Sequence, residues 1–368
     1  MLLGALALIC MLQGCGEETG SVSVVEENEA IIIDDGAFIS PEITVALKEE
    51  PEITQMQEEP EKPLIMSELT GLYIDEALDN KRPLAVIVPN NSSALPQYEI
   101  SEAGVIYECL AEGKISRLLC VFDDWRDMER IGNVRSARSY FVYWALEWDS
   151  ILFHCGNVLY ADPILASEAC DNINCVKCNY GWYRITDENR IYEQTLYTDT
   201  RGIIEACRQL DYSLEHTEYH TPSHWKFSED IVDLSEKEES YELVNLDLSK
   251  EFPENKPYYE YDESSGEYLR FQYGKPQIDA AHDDRQLSFK NILIQYTGVS
   301  VLDEYDHLEY SICGGGEGLY ITEGRAVPVT WRKEGDLLPT RFYYSDGREV
   351  ELSGGKTIVE VVGISDNN

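Results

Sequence analysis

The chain has 368 residues, of which 69 are acidic and 29 basic, so its formal charge at pH 7 is −40 and its isoelectric point is near 4.3. A charge this negative excludes a nucleic-acid binder, because phosphate backbones are repelled. Hydrophobic residues make up 43% of the chain, which is enough for a sizeable core, and at roughly 150 residues per domain the length suggests about two domains.

An uncharged apolar run opens the chain and is typical of a signal peptide, because it is too short to cross a bilayer. It ends in Leu12-Gln13-Gly14-Cys15, which is similar to the lipobox of bacterial lipoproteins, where the cysteine is diacylated and becomes the mature N-terminus. We therefore predict a signal peptide over residues 1–14 and a lipid anchor at Cys15. A short uncleaved anchor is the alternative.

Residues 15–66 are rich in Glu and Pro and carry 14 acidic residues against two lysines, a net charge of −12. Like charges at this density keep a chain extended and solvated. We predict a disordered tether that holds the folded part roughly 40 Å or more from the membrane.

Ordinary globular sequence begins at Leu69. Periodicity and turn signals predict a mixed α/β domain over residues 67–229, with strands at 84–88, 104–110, 115–122 and 151–154 and helices at 136–147, 164–170 and 200–210. Residues 230–368 are predicted to form a mostly antiparallel β domain, with strands at 268–273, 291–296, 318–322, 326–331, 341–344 and 357–362. The glycine-rich run 314–318 predicts a bulge or turn. The predicted fold class is α+β.

Several motifs carry a resemblance to a known family. In the first half they are Arg82-Pro83-Leu84-Ala85-Val86, Glu112-Gly113-Lys114-Ile115-Ser116-Arg117 and Ile131-Gly132-Asn133-Val134-Arg135-Ser136-Ala137-Arg138. In the second half they are Gly316-Glu317-Gly318-Leu319-Tyr320 and Val327-Pro328-Val329-Thr330-Trp331. With these motifs the chain after Leu69 resembles the YerB-type lipoproteins of Gram-positive bacteria, a family with two paired domains of unknown function. The resemblance implies a two-domain architecture and an envelope location, and it supplies no catalytic residues.

Arg135-Ser136-Ala137-Arg138, at the start of a predicted helix, is the candidate anion site. The positive end of the helix dipole favours anions, so two arginines there indicate a negative partner. One interpretation is a bound phosphate, sugar acid or peptide carboxylate, held by both guanidinium groups, the Ser136 hydroxyl and free backbone N–H groups. The other is a structural ion pair with a nearby acid, the candidates being Glu108, Glu112, Asp123 and Asp124.

His154 ends a predicted strand, a position at which α/β sheets place ligands. Together with Arg117 and Asn90 it completes the predicted ligand-binding set; the alternative for His154 is a hydrogen-bonded core residue. If the protein is an enzyme, His154 and Glu108 are the acid–base candidates, and both must lie within about 10 Å of the arginines to act on one substrate.

The folded part contains eight cysteines, among them Cys170, Cys175 and Cys178, whose spacing is typical of a metal site. Zinc binding completed by Cys207 or a histidine, disulfide bonds and free thiols all remain open. These three cysteines are the metal candidates, and no cofactor is predicted.

The chain contains neither Gly-x-Ser-x-Gly nor His-Glu-x-x-His, two common hydrolase motifs. We therefore predict a binding or scaffolding lipoprotein, anchored to the extracytoplasmic face of the bacterial cell membrane, that recognises an anionic wall component or a membrane-protein partner. The alternative is an envelope hydrolase or transferase that acts on a wall polymer or a phosphate ester.

Overall fold

The structure is a computed structural model that describes residues 63–186 and 188–364. The predicted signal peptide, Cys15 and most of the predicted tether lie outside the described residues. Within them, strands dominate, and the α-helices are α1 (Ser139–Glu147), α2 (Asp162–Leu165) and α3 (Thr200–Leu210).

Short strands at the start of the described chain already pair with each other, so secondary structure begins before the predicted end of the tether at Met66. The strands of the first half are β1 (Leu64–Met66), β2 (Tyr73–Asp75), β3 (Leu84–Pro89), β4 (Val105–Leu110), β5 (Ser116–Phe122), β6 (Ile131–Gly132), β7 (Ile151–His154), β8 (Asn172–Asn174), β9 (Tyr183–Arg184), β10 (Leu196–Thr198) and β11 (Lys226–Phe227).

The described part of the second half contains strands and no α-helix. The strands are β12 (Tyr241–Glu242), β13 (Asn245–Asp247), β14 (Tyr258–Asp262), β15 (Glu267–Gln272), β16 (Lys275–Pro276), β17 (Ile278–Asp279), β18 (Arg285–Gln286), β19 (Ser288–Phe289), β20 (Asn291–Val301), β21 (Leu308–Tyr310), β22 (Gly314–Thr322), β23 (Arg325–Lys333), β24 (Arg341–Tyr343), β25 (Glu351–Leu352) and β26 (Thr357–Ile364).

One sheet, the main sheet, runs through both halves of the chain in the strand order β12-β23-β22-β20-β26-β4-β5-β3-β7-β8. The two halves join at the parallel pair β4 and β26, where residues 105–108 lie opposite residues 357–360. Strands β20, β26, β4, β3, β7 and β8 all run in one direction, with β5 antiparallel between β4 and β3. Their carboxyl ends therefore meet at one edge, the carboxyl edge.

Both faces of the main sheet are covered. Helix α1 packs on one face, where Trp144 stacks on Tyr107 of β4 with ring centroids 5.4 Å apart. The other face packs against α3 and against a second sheet made of β13, β14, β15, β16 and β19. Because β3 is buried on both faces, all six of its residues are apolar. The described fold is largely β.

Candidate functional site

Residues 135–138 lie along the carboxyl edge of the main sheet. Three backbone hydrogen bonds hold the segment there: Arg135 N–H donates to the Ile87 carbonyl (2.8 Å), Cys155 N–H donates to the Arg135 carbonyl (3.0 Å), and Ala137 N–H donates to the Gly156 carbonyl (2.9 Å). The segment therefore crosses the ends of β3 and β7, and its side chains are placed by the rigid sheet.

Helix α1 begins at Ser139, and Arg138 is its N-cap residue. The sequence predicted a helix from residue 136, with both arginines in its first turn. The observed start is later because the backbone N–H and carbonyl groups of residue 135 and the N–H group of residue 137 form hydrogen bonds with β3 and with the residues that follow β7. The arginines thus precede the helix, and their positions are set by the sheet edge.

Arg117 and Arg138 converge on the carbonyl oxygen of Ser136. Nη1 of Arg117 donates to it at 2.6 Å and Nη1 of Arg138 at 3.3 Å. Both guanidinium groups also donate to the carboxylate of Glu112, in the turn between β4 and β5; Arg117 does so at 2.8 Å and Arg138 through two bonds. Of the acids that the sequence offered as ion-pair partners, Glu112 takes this role in the described structure.

Arg135 makes fewer hydrogen bonds than Arg117 and Arg138. It is half-buried, and it donates to the backbone carbonyl of Glu193 at 3.3 Å. It forms no ion pair with any described residue, so most of its five N–H groups are available to a ligand. Nearby, the guanidinium group of Arg184 lies 4.0 Å from the ring centroid of the exposed Tyr192.

The pKa values of these groups are set first by burial and then by the neighbouring charges. Burial, reinforced by the charge of Arg138, lowers the pKa of Arg117 to about 10. Burial also lowers the pKa of Arg135. Burial alone would raise the pKa of Glu112, but Arg117 and Arg138 outweigh that effect and bring it to about 2. The two arginines therefore hold Glu112 in its charged form.

We call this set the arginine cluster. Its members are four arginines and two glutamates, of which Glu112 is ion-paired with Arg117 and Arg138: Arg117, Arg135, Arg138, Arg184, Glu112 and Glu193. Four arginines against two glutamates give a local excess of positive charge in a chain of formal charge −40. An additional anion placed beside Arg135 would be stabilised.

His154 lies at the carboxyl end of β7, and both of its ring nitrogens are occupied. Nδ1 is 2.8 Å from the carbonyl oxygen of Gly156, and Nε2 is 3.1 Å from Oδ1 of Asn172. The side chain is buried, which lowers its pKa. These contacts fit the core-histidine interpretation and leave no ring nitrogen for a ligand.

The acid–base pair considered for an enzyme does not assemble. Two strands, β5 and β3, separate Glu108 from His154, which corresponds to about 14 Å across the sheet. The side chains also point to opposite faces, because Ile106 and Phe153 share the α3 face and side chains alternate along a strand. One substrate cannot readily bridge Glu108, His154 and the arginine cluster.

Asn90 and Glu108 do meet, but in a buried polar network on the face of the main sheet that the second sheet covers. Nδ2 of Asn90 donates to Glu108 at 2.7 Å. Arg270 of β15 donates to both Glu108 and Glu360, and the Tyr259 hydroxyl donates to Glu360. Asn90 therefore does not belong to the arginine cluster. Neither Arg270 nor Glu360 was among the residues predicted from the sequence.

The cysteine cluster contains a disulfide. Cys175 is bonded to Cys155, so it does not join Cys170 and Cys178 in a three-thiol ligand group. Cys170 and Cys178 are buried thiols, and burial raises the pKa of each, that of Cys170 to about 12. In the described part of the chain, no group of three or more His, Cys, Asp or Glu side chains is placed to hold a metal ion.

Comparison with known proteins shows which protein family the chain resembles. Residues 69–213 match the family described as "Protein of unknown function (DUF3048) N-terminal domain", and residues 248–359 match its C-terminal domain. The two matches fall on the two halves of the main sheet. No helix in the described residues has the length and apolar composition to span a membrane.

A protein of Bacillus subtilis (strain 168) named "Putative lipoprotein YerB" is 30% identical over 295 residues, which cover 80% of this chain and 85% of that relative. The crystal structure of the YerB protein from Bacillus subtilis superposes with a TM-score of 0.70 at 27% identity, covering 82% of this chain and 97% of that one. The chain belongs to the YerB family, which confirms the resemblance found in the sequence.

Proposed function

We propose that the protein is a lipid-anchored binding protein of the cell envelope that recognises an anionic group at the arginine cluster. The main support for this proposal is Arg135, which is half-buried and whose guanidinium group donates to a single carbonyl. Arg117 and Arg138, in contrast, are already paired with Glu112. The pair of Arg117 and Arg138 holds the site rigid, and Arg135 supplies the open donors.

The anchor part of the proposal rests on the lipobox-like Leu12-Gln13-Gly14-Cys15 and on the name of the Bacillus relative. A diacylated Cys15, followed by the acidic tether, would place the folded part outside the cell membrane and away from its surface. In that location the accessible partners are wall components and the outer parts of membrane proteins.

The chemistry of the cluster defines the class of anion. A guanidinium group is planar and pairs in a bidentate manner with carboxylate and phosphate oxygens. The formal charge of −40 repels long polyanions at a distance, so the target carries one or a few charges. A single phosphate ester or carboxylate, on a wall component or on a membrane-protein partner, meets both conditions.

The experiment is a thermal-shift titration of the full chain with inorganic phosphate, acetate and glucuronate, run beside Arg135→Ala. We expect at least one anion to raise the melting temperature of the wild type and to leave that of Arg135→Ala unchanged. Arg208→Ala is the matched control, because Arg208 is an exposed arginine of α3 that pairs with Glu205 at 2.7 Å.

The variant itself should fold, because Arg135 makes one long hydrogen bond. A shift of equal size in wild type and Arg135→Ala places anion binding elsewhere and rejects the proposal. So does the absence of any shift up to about 50 mM anion, a concentration at which even a millimolar site is nearly saturated.

A further inference from the structure

A short 3-10 helix, Tyr192–Gln194, contacts two arginines of the arginine cluster. Nη1 of Arg135 donates to the Glu193 carbonyl at 3.3 Å, and Nη1 of Arg184 donates to the Tyr192 carbonyl at 2.9 Å. Both hydrogen bonds are exposed to solvent. The two guanidinium groups are therefore fixed at consecutive residues of one surface turn, where a ligand can reach them.

Arg135 and Arg184 have no acidic partner among the described residues. Arg184 also donates to the Thr195 hydroxyl at 3.1 Å, again through Nη1, and its Nε and Nη2 form no hydrogen bond within the described chain. After burial and other neighbouring charges, the charge of Arg184 further lowers the pKa of Arg135, so the two groups are neighbours. The nearby acid Glu188 is already paired with Arg130 at 2.6 Å. Two neighbouring arginines with open donors indicate that one anion binds both.

Apolar surface lies next to these donors. Tyr192 is 64% exposed, and Ile191 before it is 54% exposed. The guanidinium carbon of Arg184 lies 4.0 Å from the ring centroid of Tyr192, a cation–π contact that holds the ring beside the open donors. An anion bound to Arg184 is therefore close to this ring, and the group attached to the anion contacts it. An exposed aromatic ring favours a partner with an apolar face.

Glu193 adds hydrogen-bond acceptors to the same surface. Its side chain is exposed and forms no hydrogen bond or ion pair with a described residue. Its carboxylate lies close enough to Arg135 to oppose the effect of burial on the pKa of that arginine. A carboxylate accepts hydrogen bonds from hydroxyl groups and repels a second negative charge. The ligand should therefore carry one anionic group and several hydroxyl groups.

We propose that the ligand of the arginine cluster is an anionic sugar. Its carboxylate or phosphate binds Arg135 and Arg184, and its ring packs against Tyr192. Its hydroxyl groups donate to Glu193. A sugar ring has an apolar C–H face and hydroxyl groups around its rim, so it matches both the aromatic side chain and the carboxylate. This inference rests on the proposed function, because both place the anion at Arg135, and it adds the class of ligand.

The test compares three anions that share a carboxylate and differ in the rest of the molecule: acetate, cyclohexanecarboxylate and glucuronate. Each is titrated into the full chain and followed by calorimetry. Cyclohexanecarboxylate has a six-membered ring without hydroxyl groups. We expect affinity to rise in the order given, with glucuronate about tenfold tighter than acetate or more. Glucose 1-phosphate, run beside inorganic phosphate, shows whether a phosphate replaces the carboxylate.

Variants assign the gain to its two sources. Tyr192→Ala should weaken glucuronate binding about tenfold and leave acetate binding unchanged, whereas Tyr192→Phe should bind both as the wild type does. Glu193→Gln should weaken glucuronate binding about fivefold, while cyclohexanecarboxylate binds no more weakly than before. Tyr73→Ala is the matched control, because Tyr73 is 69% exposed and lies on β2, outside the main sheet.

Equal affinity of the wild type for cyclohexanecarboxylate and glucuronate overturns the inference, as does the absence of glucuronate binding up to 100 mM. Arg135→Ala separates it from the proposed function. If that variant changes the affinity for none of the anions, no anion binds at Arg135 and both fail. If it abolishes acetate or phosphate binding while Tyr192→Ala still binds glucuronate like the wild type, the anion site stands and the sugar is rejected.

Discussion

Glu108 and Glu360 lie directly opposite each other in the parallel pair β4 and β26, and the guanidinium group of Arg270 donates to both. The two carboxylates come from different halves of the chain, and Arg270 comes from the second sheet. Three buried ionisable side chains thus join the halves of the main sheet to the sheet that covers them. The two halves are therefore linked through one buried polar network.

Removal of Arg270 should be strongly destabilising. Arg270→Met removes the cation that two buried carboxyl groups share, and we expect a loss of about 3–5 kcal/mol in the free energy of unfolding. Urea unfolding followed by tryptophan fluorescence measures it. Arg348→Met, at an exposed arginine paired with Asp346, should change the free energy by about 0.5 kcal/mol or less. Similar losses in both variants would contradict the role assigned to Arg270.

The same network should make stability depend on pH. Burial, with the charge of Glu108, raises the pKa of Glu360 to about 8, whereas an unfolded glutamate titrates near 4.3. Between those two values the folded chain holds a proton that the unfolded chain has lost. Stability from this group is therefore complete below about pH 4 and falls as pH rises toward 8, by at most about 1.4 kcal/mol per pH unit.

Glu360→Gln mimics the protonated side chain and should flatten this decline between pH 5 and 8, as measured by urea unfolding at four pH values. Glu317→Gln, an exposed position on β22, should keep the slope of the wild type. Carboxylates with lowered pKa values, such as Glu112, titrate below this window and do not obscure it. Identical slopes in all three proteins would show that Glu360 is already ionised at pH 5.

Some regular elements were predictable from local sequence, whereas the helix predicted over 164–170 is the short α2, which ends at Leu165. Helix α3 and strand β7 have the predicted bounds, Thr200–Leu210 and Ile151–His154. For the helix, apolar residues recur at helical spacing, and Asp199 caps its start by accepting from Gly202 N–H at 2.6 Å. Such signals come from residues that are close together in the sequence, so they can be recognised without knowledge of the tertiary structure.

The glycine-rich run shows where local reasoning fails. Gly314, Gly315 and Gly316 were predicted as a bulge or turn, and they begin strand β22 instead. A Cβ on Gly316 would lie 2.7 Å from the Tyr296 carbonyl, and one on Gly315 would lie 2.8 Å from the Trp331 carbonyl. Glycine is therefore required by the close approach of β20 and β23, which no local pattern reveals.

Part of the candidate site was also predictable from local sequence, and part was not. Arg117, Ser136 and Arg138 come together because their elements are neighbours in both sequence and sheet, and the sequence named all three. Arg270 lies 162 residues from Glu108. Its role depends on the packing of one sheet on another, and no spacing in the chain encodes that contact.

Glu112 should restrain anion binding at the arginine cluster. Glu112→Gln removes the carboxylate shared by Arg117 and Arg138, and we expect the affinity for inorganic phosphate to rise about fivefold, corresponding to about 1 kcal/mol for a partly exposed charge. Calorimetry at 20 and 200 mM NaCl measures the gain, which salt should reduce. Weaker binding in Glu112→Gln would instead mean that Glu112 positions the arginines for the anion.

The disulfide between Cys155 and Cys175 should contribute measurably to stability. It closes a loop with a sequence separation of 20 residues beside the arginine cluster, and loop entropy gives about 3 kcal/mol. Dithiothreitol should therefore lower the melting temperature of the wild type, and Cys155→Ala should begin from that lower value and show no further response. Cys313→Ala is the control, because Cys313 is an exposed free thiol. If dithiothreitol leaves the wild type unchanged, these two cysteines are not bonded in the purified protein.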